Sequence, residues 1–227
     1  MLIAVPQLLP RDSALALRER LLGAEWVDGN VTSGEGAALA KRNRQLPEAG
    51  GAARQGREQV SAALASNPIF LSAALPRTIF PPLFNRYGPG DRFDAHVDNA
   101  IRVEPATGRA IRTDLSATLF LSDPGDYEGG ELEVSGRFGT VRYKLEAGDL
   151  LLYSSSSLHN VTPVTRGDRV SAFFWLQSLV RDDADREMLF DLDQVVQRLT
   201  AERGGDDAEV LRLTQLYHNL IRRWAEL

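Results

Sequence analysis

His96 and Asp98 stand two positions apart, His159 follows 63 residues later, and Arg169 lies ten residues beyond that. In an extended segment residues i and i+2 face the same way, so the first imidazole and the carboxylate can converge on one point. Two imidazoles and one carboxylate form the facial triad that holds a redox-active divalent iron and leaves coordination positions open. An arginine beside such a site offers a bidentate partner to an acidic co-substrate. Each residue alone has an ordinary explanation. A lone histidine is more often simply hydrogen-bonded, and Arg169 could pair with Asp168 or Asp149. His218, in Leu216-Tyr217-His218-Asn219-Leu220, has no partner at ligand spacing and reads as helix surface.

Positioning these residues requires strands. From Thr78 the apolar period is two, with strand candidates Ile79–Tyr87, Leu115–Ser122, Glu131–Val134, Thr140–Leu145, Leu150–Ser154, Leu158–Val164 and Val170–Leu179. Gly and Pro punctuation separates them, as at Gly88-Pro89-Gly90, Gly129-Gly130 and Gly167. Many short strands without interleaved helices indicate an antiparallel sandwich or jelly-roll barrel. His159 then opens one strand, a turn follows at Arg166-Gly167-Asp168, and Arg169 leads the next, which predicts adjacent antiparallel strands. Alternation places Arg169, Ser171, Phe173 and Trp175 on one face, with Trp175 lining the pocket. A buried arginine is costly without an anionic partner, so one is expected.

Helical periodicity flanks this core. Asp12 or Ser13 can cap a helix carrying Leu15, Leu17, Leu21 and Leu22 that ends near Gly23, and a second runs from about Ala53 to Ser66, stopped by Asn67-Pro68. Residues 29–36 are turn-rich. After Asp182 one stripe contains Met188, Leu189, Leu192, Val195, Val196 and Leu199. Gly204-Gly205 breaks it, and Asp206 or Asp207 can cap a last helix burying Val210, Leu213, Leu216, Tyr217, Leu220 and Trp224. Residues 1–181 therefore read as one domain, with a core over about 78–180, and 182–227 as a helical hairpin docked on the barrel or on another copy as a homo-oligomer. The polar segment Lys41 to Pro47 reads as a lid over the barrel mouth or as a solvated loop.

A net charge of −5 and a pI near 5.3 argue against nucleic acid as a partner. The absence of cysteine excludes disulfides, thiolate metal sites, iron–sulfur clusters and a cysteine nucleophile. No run of apolar residues is long enough to span a membrane, and the N-terminus lacks the basic region of a secretory leader, so a cytoplasmic protein is expected.

Longer stretches carry a resemblance. They include Leu39-Ala40-Lys41-Arg42-Asn43-Arg44-Gln45-Leu46-Pro47, Phe84-Asn85-Arg86-Tyr87, His96-Val97-Asp98-Asn99-Ala100-Ile101-Arg102, Tyr127-Glu128-Gly129-Gly130-Glu131-Leu132, Ser156-Ser157-Leu158-His159, Phe173-Phe174-Trp175 and Val180-Arg181-Asp182-Asp183. In these the chain resembles, over essentially its whole length, the PKHD-type hydroxylases (PiuC- and YbiX-like proteins) among the Fe(II)/2-oxoglutarate-dependent dioxygenases. The resemblance implies a mainly β fold: a double-stranded β-helix (jelly-roll) core with N-terminal helices packed on it and a C-terminal helical hairpin. It implies Fe(2+) on His96, Asp98 and His159, 2-oxoglutarate on Arg169, a contact from Tyr87, O2 as oxidant and L-ascorbate as a requirement. It further implies an association with iron uptake or homeostasis. Trp175 and Asn85 are candidate substrate-pocket residues. The substrate is unspecified: a small molecule, a siderophore or a peptide side chain would fit.

Three other readings use the same ligands. A non-enzymatic iron-binding β-barrel explains the triad but not the arginine. A hydrolytic zinc site lacks a glutamate in a His-Glu-x-x-His-like setting. Oxidative nucleic-acid repair lacks a basic surface.

Overall fold

The computed structural model describes residues 1–32, 41–104 and 107–227. Leu39, Ala40 and the part of the turn-rich stretch after Thr32 lie outside the described residues.

The strands, in chain order, are β1 (Leu2–Val5), β2 (Val27–Asp28), β3 (Lys41–Arg42), β4 (Arg44–Gln45), β5 (Pro76–Ile79), β6 (Leu83–Tyr87), β7 (Arg92–His96), β8 (Ile101–Val103) and β9 (Ala110–Arg112). They continue as β10 (Leu115–Phe120), β11 (Tyr127–Gly129), β12 (Leu132–Gly136), β13 (Gly139–Tyr143), β14 (Leu150–Ser154), β15 (Leu158–Val161), β16 (Val164–Gly167) and β17 (Arg169–Ser178). The larger sheet has the order β1-β14-β10-β17-β6-β4-β2, with β5 also paired to β17. The smaller runs β13-β12-β15-β7-β3, and every pairing in both is antiparallel. The sheets face each other as the two halves of a jelly roll, which is the expected fold.

Alternation along β17 decides which residues go where. Val170, Ala172, Phe174 and Leu176 join the large apolar core on the outer side of the larger sheet, where helices α1 (Arg11–Leu22) and α2 (Gly51–Ser66) contribute Leu17, Leu21, Val60 and Leu64. Arg169, Ser171, Phe173 and Trp175 point between the sheets. Tyr87, Phe120, Leu132, Val134, Tyr153 and Val161 close the space between them as a second core. A one-residue slip in β17 would exchange these faces, so burial of both fixes the register.

Several expectations need correction. The strand expected over Ile79–Tyr87 is two strands, because Pro81 and Pro82 cannot donate ladder hydrogen bonds. Leu158–Val164 divides at Pro163 for the same reason. Asn67-Pro68 ends α2 but also starts α3 (Pro68–Ala74): the Asn67 side chain accepts from the Phe70 amide, and proline suits the first helical position. The strands of His159 and Arg169 are not neighbours. β15 pairs with β12 and β7, whereas β17 pairs with β10, β6 and β5, so the two residues approach from opposite sheets. The intervening turn leads through β16, which pairs with β11 instead.

The C-terminal pair, α4 (Asp183–Arg203) and α5 (Ala208–Trp224), is capped by Asp182 and Asp207. It docks on the barrel. Leu75, Val180 and Leu189 form a core with Tyr217, Leu220, Ile221 and Trp224 packed against it. Arg186, 1% exposed, donates to the carbonyls of Val180 and Arg181 and pairs with Asp183. Met188 and Leu216, expected on the buried stripes, are 52% and 48% exposed, because the barrel covers a narrower face of each helix than periodicity alone implies. Among the described residues no helix is long and apolar enough to cross a membrane.

Candidate active site

The first ligand candidate closes β7, where His96 stands opposite His159 of β15 in the antiparallel register. Pairing two strands thus brings the imidazoles together, with ring centroids 4.2 Å apart. Asp98 lies just past the end of β7 and reaches back, its Oδ2 3.6 Å from His159 Nε2. Ligand atoms of His96, Asp98 and His159 all lie within 4.8 Å of one another, the one such cluster among the described residues. His218 is exposed on α5 and takes no part.

Neighbouring groups set the donor chemistry. His96 Nδ1 lies 2.9 Å from the Asp94 carbonyl and His159 Nδ1 3.0 Å from the Ser157 carbonyl. A carbonyl only accepts, so each Nδ1 carries the proton and each Nε2 keeps its lone pair for a metal. Burial, followed by the charge of His159, lowers the His96 pKa to about 4, so this imidazole is neutral at physiological pH. Asp98 Oδ2 accepts from Ser116 Oγ at 2.6 Å, and Ser116 also bonds Ser155 at 2.7 Å. Phe93 stacks on His96 at 3.6 Å between centroids. Two neutral nitrogens and one carboxylate, all oriented from behind, fit a divalent iron and leave its far side open to the cavity.

Arg169 enters from the larger sheet and is 1% exposed. Its Nη1 donates to Ser171 Oγ at 2.8 Å, and Ser171 Oγ donates to Asn85 Oδ1 at 2.5 Å. The rings of Tyr87 and Phe120 each lie 5.3 Å from its Cζ. Among the described residues no carboxylate lies within ion-pairing distance, and its Nε has no hydrogen-bond partner. Neither local acid serves it: Asp168 is taken by Arg86, and Asp149 accepts from the Gln7 amide. A buried guanidinium with donors to spare fits an incoming carboxylate, so 2-oxoglutarate suits this position as well as iron suits the triad.

The cavity around these residues encloses about 100 Å³ and widens to about 830 Å³ when the open space at its mouth is counted. Tyr87, Asn85 and Trp175 line it. Burial raises the Tyr87 phenol to about 12 and pushes Tyr153 up as well, with the charge of Asp98 adding to the latter. Both stay protonated, so the charged groups of the cavity wall are Asp98, Arg169, Lys41 and Arg102.

Lys41 and Arg102 were not among the residues that sequence reasoning assigned to the site. The segment after residue 40 is neither a hanging lid nor a solvated loop. β3 joins β7 of the smaller sheet and β4 joins β6 of the larger, so the segment laces the two sheets together. Lys41 is 8% exposed as a result, and burial, then the charge of Arg102, lowers its pKa to about 8. The alternation Lys41-Arg42-Asn43-Arg44-Gln45, buried at odd positions and exposed at even ones, was the available signal. Ser116 gave none, being one of two small polar residues, with Thr118, in a short buried strand.

A family model described as the 2OG-Fe(II) oxygenase superfamily matches residues 82–177, and one described as the PKHD-type hydroxylase C-terminal domain matches 183–226. A PKHD-type hydroxylase from Rhizorhabdus wittichii is 58% identical over 226 residues, covering 100% of both chains. One from Burkholderia thailandensis is also 58% identical with the same coverage. Among solved structures, a Pseudomonas putida prolyl-4-hydroxylase aligns over 78% of this chain and 92% of its own, at 23% identity and TM-score 0.51. HygX from Streptomyces hygroscopicus, with nickel and 2-oxoglutarate bound, aligns over 76% of this chain and 81% of its own, at 16% identity and TM-score 0.54. These structures agree with the jelly-roll fold. With full-length relatives at this identity, the chain belongs to the PKHD-type hydroxylases and is an iron- and 2-oxoglutarate-dependent dioxygenase.

Proposed function

We propose that His96, Asp98 and His159 hold the ferrous ion and that Arg169 binds the distal carboxylate of 2-oxoglutarate, so that the protein hydroxylates a substrate entering the same cavity. The observation that carries this reading is the pairing of a converged His-Asp-His cluster with a buried arginine that has no carboxylate partner. When bound, iron and 2-oxoglutarate supply the oxidising chemistry: decarboxylation of the co-substrate to succinate and CO2, coupled to insertion of an oxygen atom from O2 into a C–H bond.

The chain contributes binding and orientation. The backbone carbonyls of Asp94 and Ser157 hold both imidazoles in the ligating tautomer. Ser116 fixes the carboxylate of Asp98. Ser171 and Asn85 aim the guanidinium of Arg169, and Tyr87 walls it on one side. Phe93, Phe173 and Trp175 supply apolar wall to the cavity, against which a bound substrate would displace water.

Ascorbate is proposed as the reductant that keeps the iron ferrous, and iron uptake or homeostasis as the setting; family resemblance alone supports both. The non-enzymatic iron-binding alternative leaves Arg169 unexplained. Succinate release by purified protein supplied with Fe(II), ascorbate and 2-oxoglutarate tests the proposal. Iron binding without succinate would favour the alternative.

A further inference from the structure

Charge balance within the cavity points to the class of substrate. On the reading proposed above, the two positive charges of ferrous iron and that of Arg169 are matched by Asp98 and the two carboxylates of 2-oxoglutarate. Lys41 and Arg102 line the same cavity and lie outside that balance.

Neither has a carboxylate within ion-pairing distance among the described residues. Lys41 Nζ donates to two neutral acceptors, the Gly29 carbonyl at 2.9 Å and Gln45 Oε1 at 3.3 Å. It lies 5.7 Å from the Phe93 ring, which stacks on His96, and 5.9 Å from Phe173. Arg102 packs its guanidinium 3.7 Å above the Trp175 ring and 5.4 Å from Phe80, and its buried Nε has no hydrogen-bond partner. The negative charge that bears on Lys41 is that of Asp28, and those that bear on Arg102 are Asp98 and Glu48, none within ion-pairing distance. Metal binding would claim Asp98, leaving Arg102 less compensated in the loaded enzyme than in the free protein.

Burying two cations beside one another is unfavourable unless an anion joins them. Phe173 and Trp175 stand side by side on β17, their centroids 5.5 Å apart, with Lys41 near one ring and Arg102 on the other. An acidic group bound here would sit beside the aromatic wall, on the substrate side of the triad. Because Lys41 is nearly buried, only a group that enters the cavity can reach it.

We propose that Lys41 and Arg102 form an oxyanion subsite, and that the hydroxylated substrate is a small organic molecule carrying a carboxylate or similar anionic oxygen group. This rests on the assignment of Arg169 to 2-oxoglutarate, since otherwise Lys41 or Arg102 would be free to bind the co-substrate.

Calorimetric titration of the full-length protein, loaded with Zn(II) to prevent turnover and saturated with 2-oxoglutarate, tests the subsite with benzoate and its neutral counterpart benzamide. Benzoate is expected to bind at least about ten-fold more tightly, as a charge-assisted contact requires. In Arg102→Gln and in Lys41→Met the preference should fall below about three-fold, by the same reasoning. The Arg102 variant lies on a half-buried side chain and keeps the test usable if Lys41→Met does not fold. Equal affinities, no saturable benzoate binding, or a preference that survives both substitutions would overturn the proposal. Failure of the underlying co-substrate assignment shows separately: 2-oxoglutarate would then bind Arg169→Ala as well as wild type.

Discussion

Arg86 takes both carboxylate oxygens of Asp168, at 2.8 and 2.9 Å, and so leaves the adjacent Arg169 without its nearest acid. Asp168 precedes the buried strand and faces the opposite way from Arg169, toward Arg86 on β6. The pairing neutralises a charge that would otherwise compete for the guanidinium. On the proposed reading Arg169 is thereby left for an external carboxylate, its Nη1 steered by Ser171 and its ring neighbours fixed by the core.

Replacing Arg169 with alanine should therefore separate co-substrate from metal. A charge-assisted bidentate contact is worth about 1.5–3 kcal/mol, so the dissociation constant for 2-oxoglutarate should rise at least about ten-fold. Metal affinity should change little, because Arg169 touches none of the three ligands. Titration of each ligand into wild type and variant checks this. Equal losses would make the arginine a structural residue.

Ser116→Ala removes the hydroxyl that holds Asp98 Oδ2. Groups that orient a metal ligand typically contribute about 10–100-fold to metal affinity. The expected outcome is a fall in Fe(II) affinity in that range, with Ser116→Thr recovering most of it. Competition with a chromophoric chelator measures both. Unchanged affinity in the alanine variant would show that Asp98 is placed by its backbone alone.

His96 also sets an acid limit on the metal-free protein. His96 has a folded pKa near 4, below its ordinary 6.5, so the unfolded chain takes up the proton first as pH falls. Stability from this group is complete above about pH 6.5, declines through the window down to about 4, and falls no further below it. His96→Gln should flatten that part of the pH profile. Denaturant midpoints measured across the window give the comparison, and parallel profiles would contradict the assigned shift.

Docking of the C-terminal helices makes a further prediction. Removal of residues 182–227 uncovers Leu75 and Val180, whose burial is worth about 1.5–3 kcal/mol each. The truncated protein should melt at a markedly lower temperature and bind a hydrophobic dye. An unchanged melting temperature would mean that the boundary near residue 181 separates two independently stable units.

How much of this was legible in the sequence depends on whether one strand or two had to be known. Alternation along β17 placed Arg169, Ser171, Phe173 and Trp175 on the inner face without any partner strand. The side-by-side placement expected for the His159 and Arg169 strands was wrong, because Pro163 redirects the chain into β16 and onto β11. Lys41 and Arg102 escaped notice for a related reason. Their burial comes from β3 joining the smaller sheet and from Trp175 lying beneath Arg102, and neither contact is local in sequence. His96 and Asp98 were readable because their separation of two is itself a strand property.

The most direct test is decarboxylation of 2-oxoglutarate labelled at C1 by iron-loaded wild type and Asp98→Ala under air. The arrangement of His96, Asp98 and His159 predicts CO2 release by the wild type, with matching succinate, and none above background by the variant. Release by Asp98→Ala at the wild-type rate would contradict the triad, and with it the account of this site.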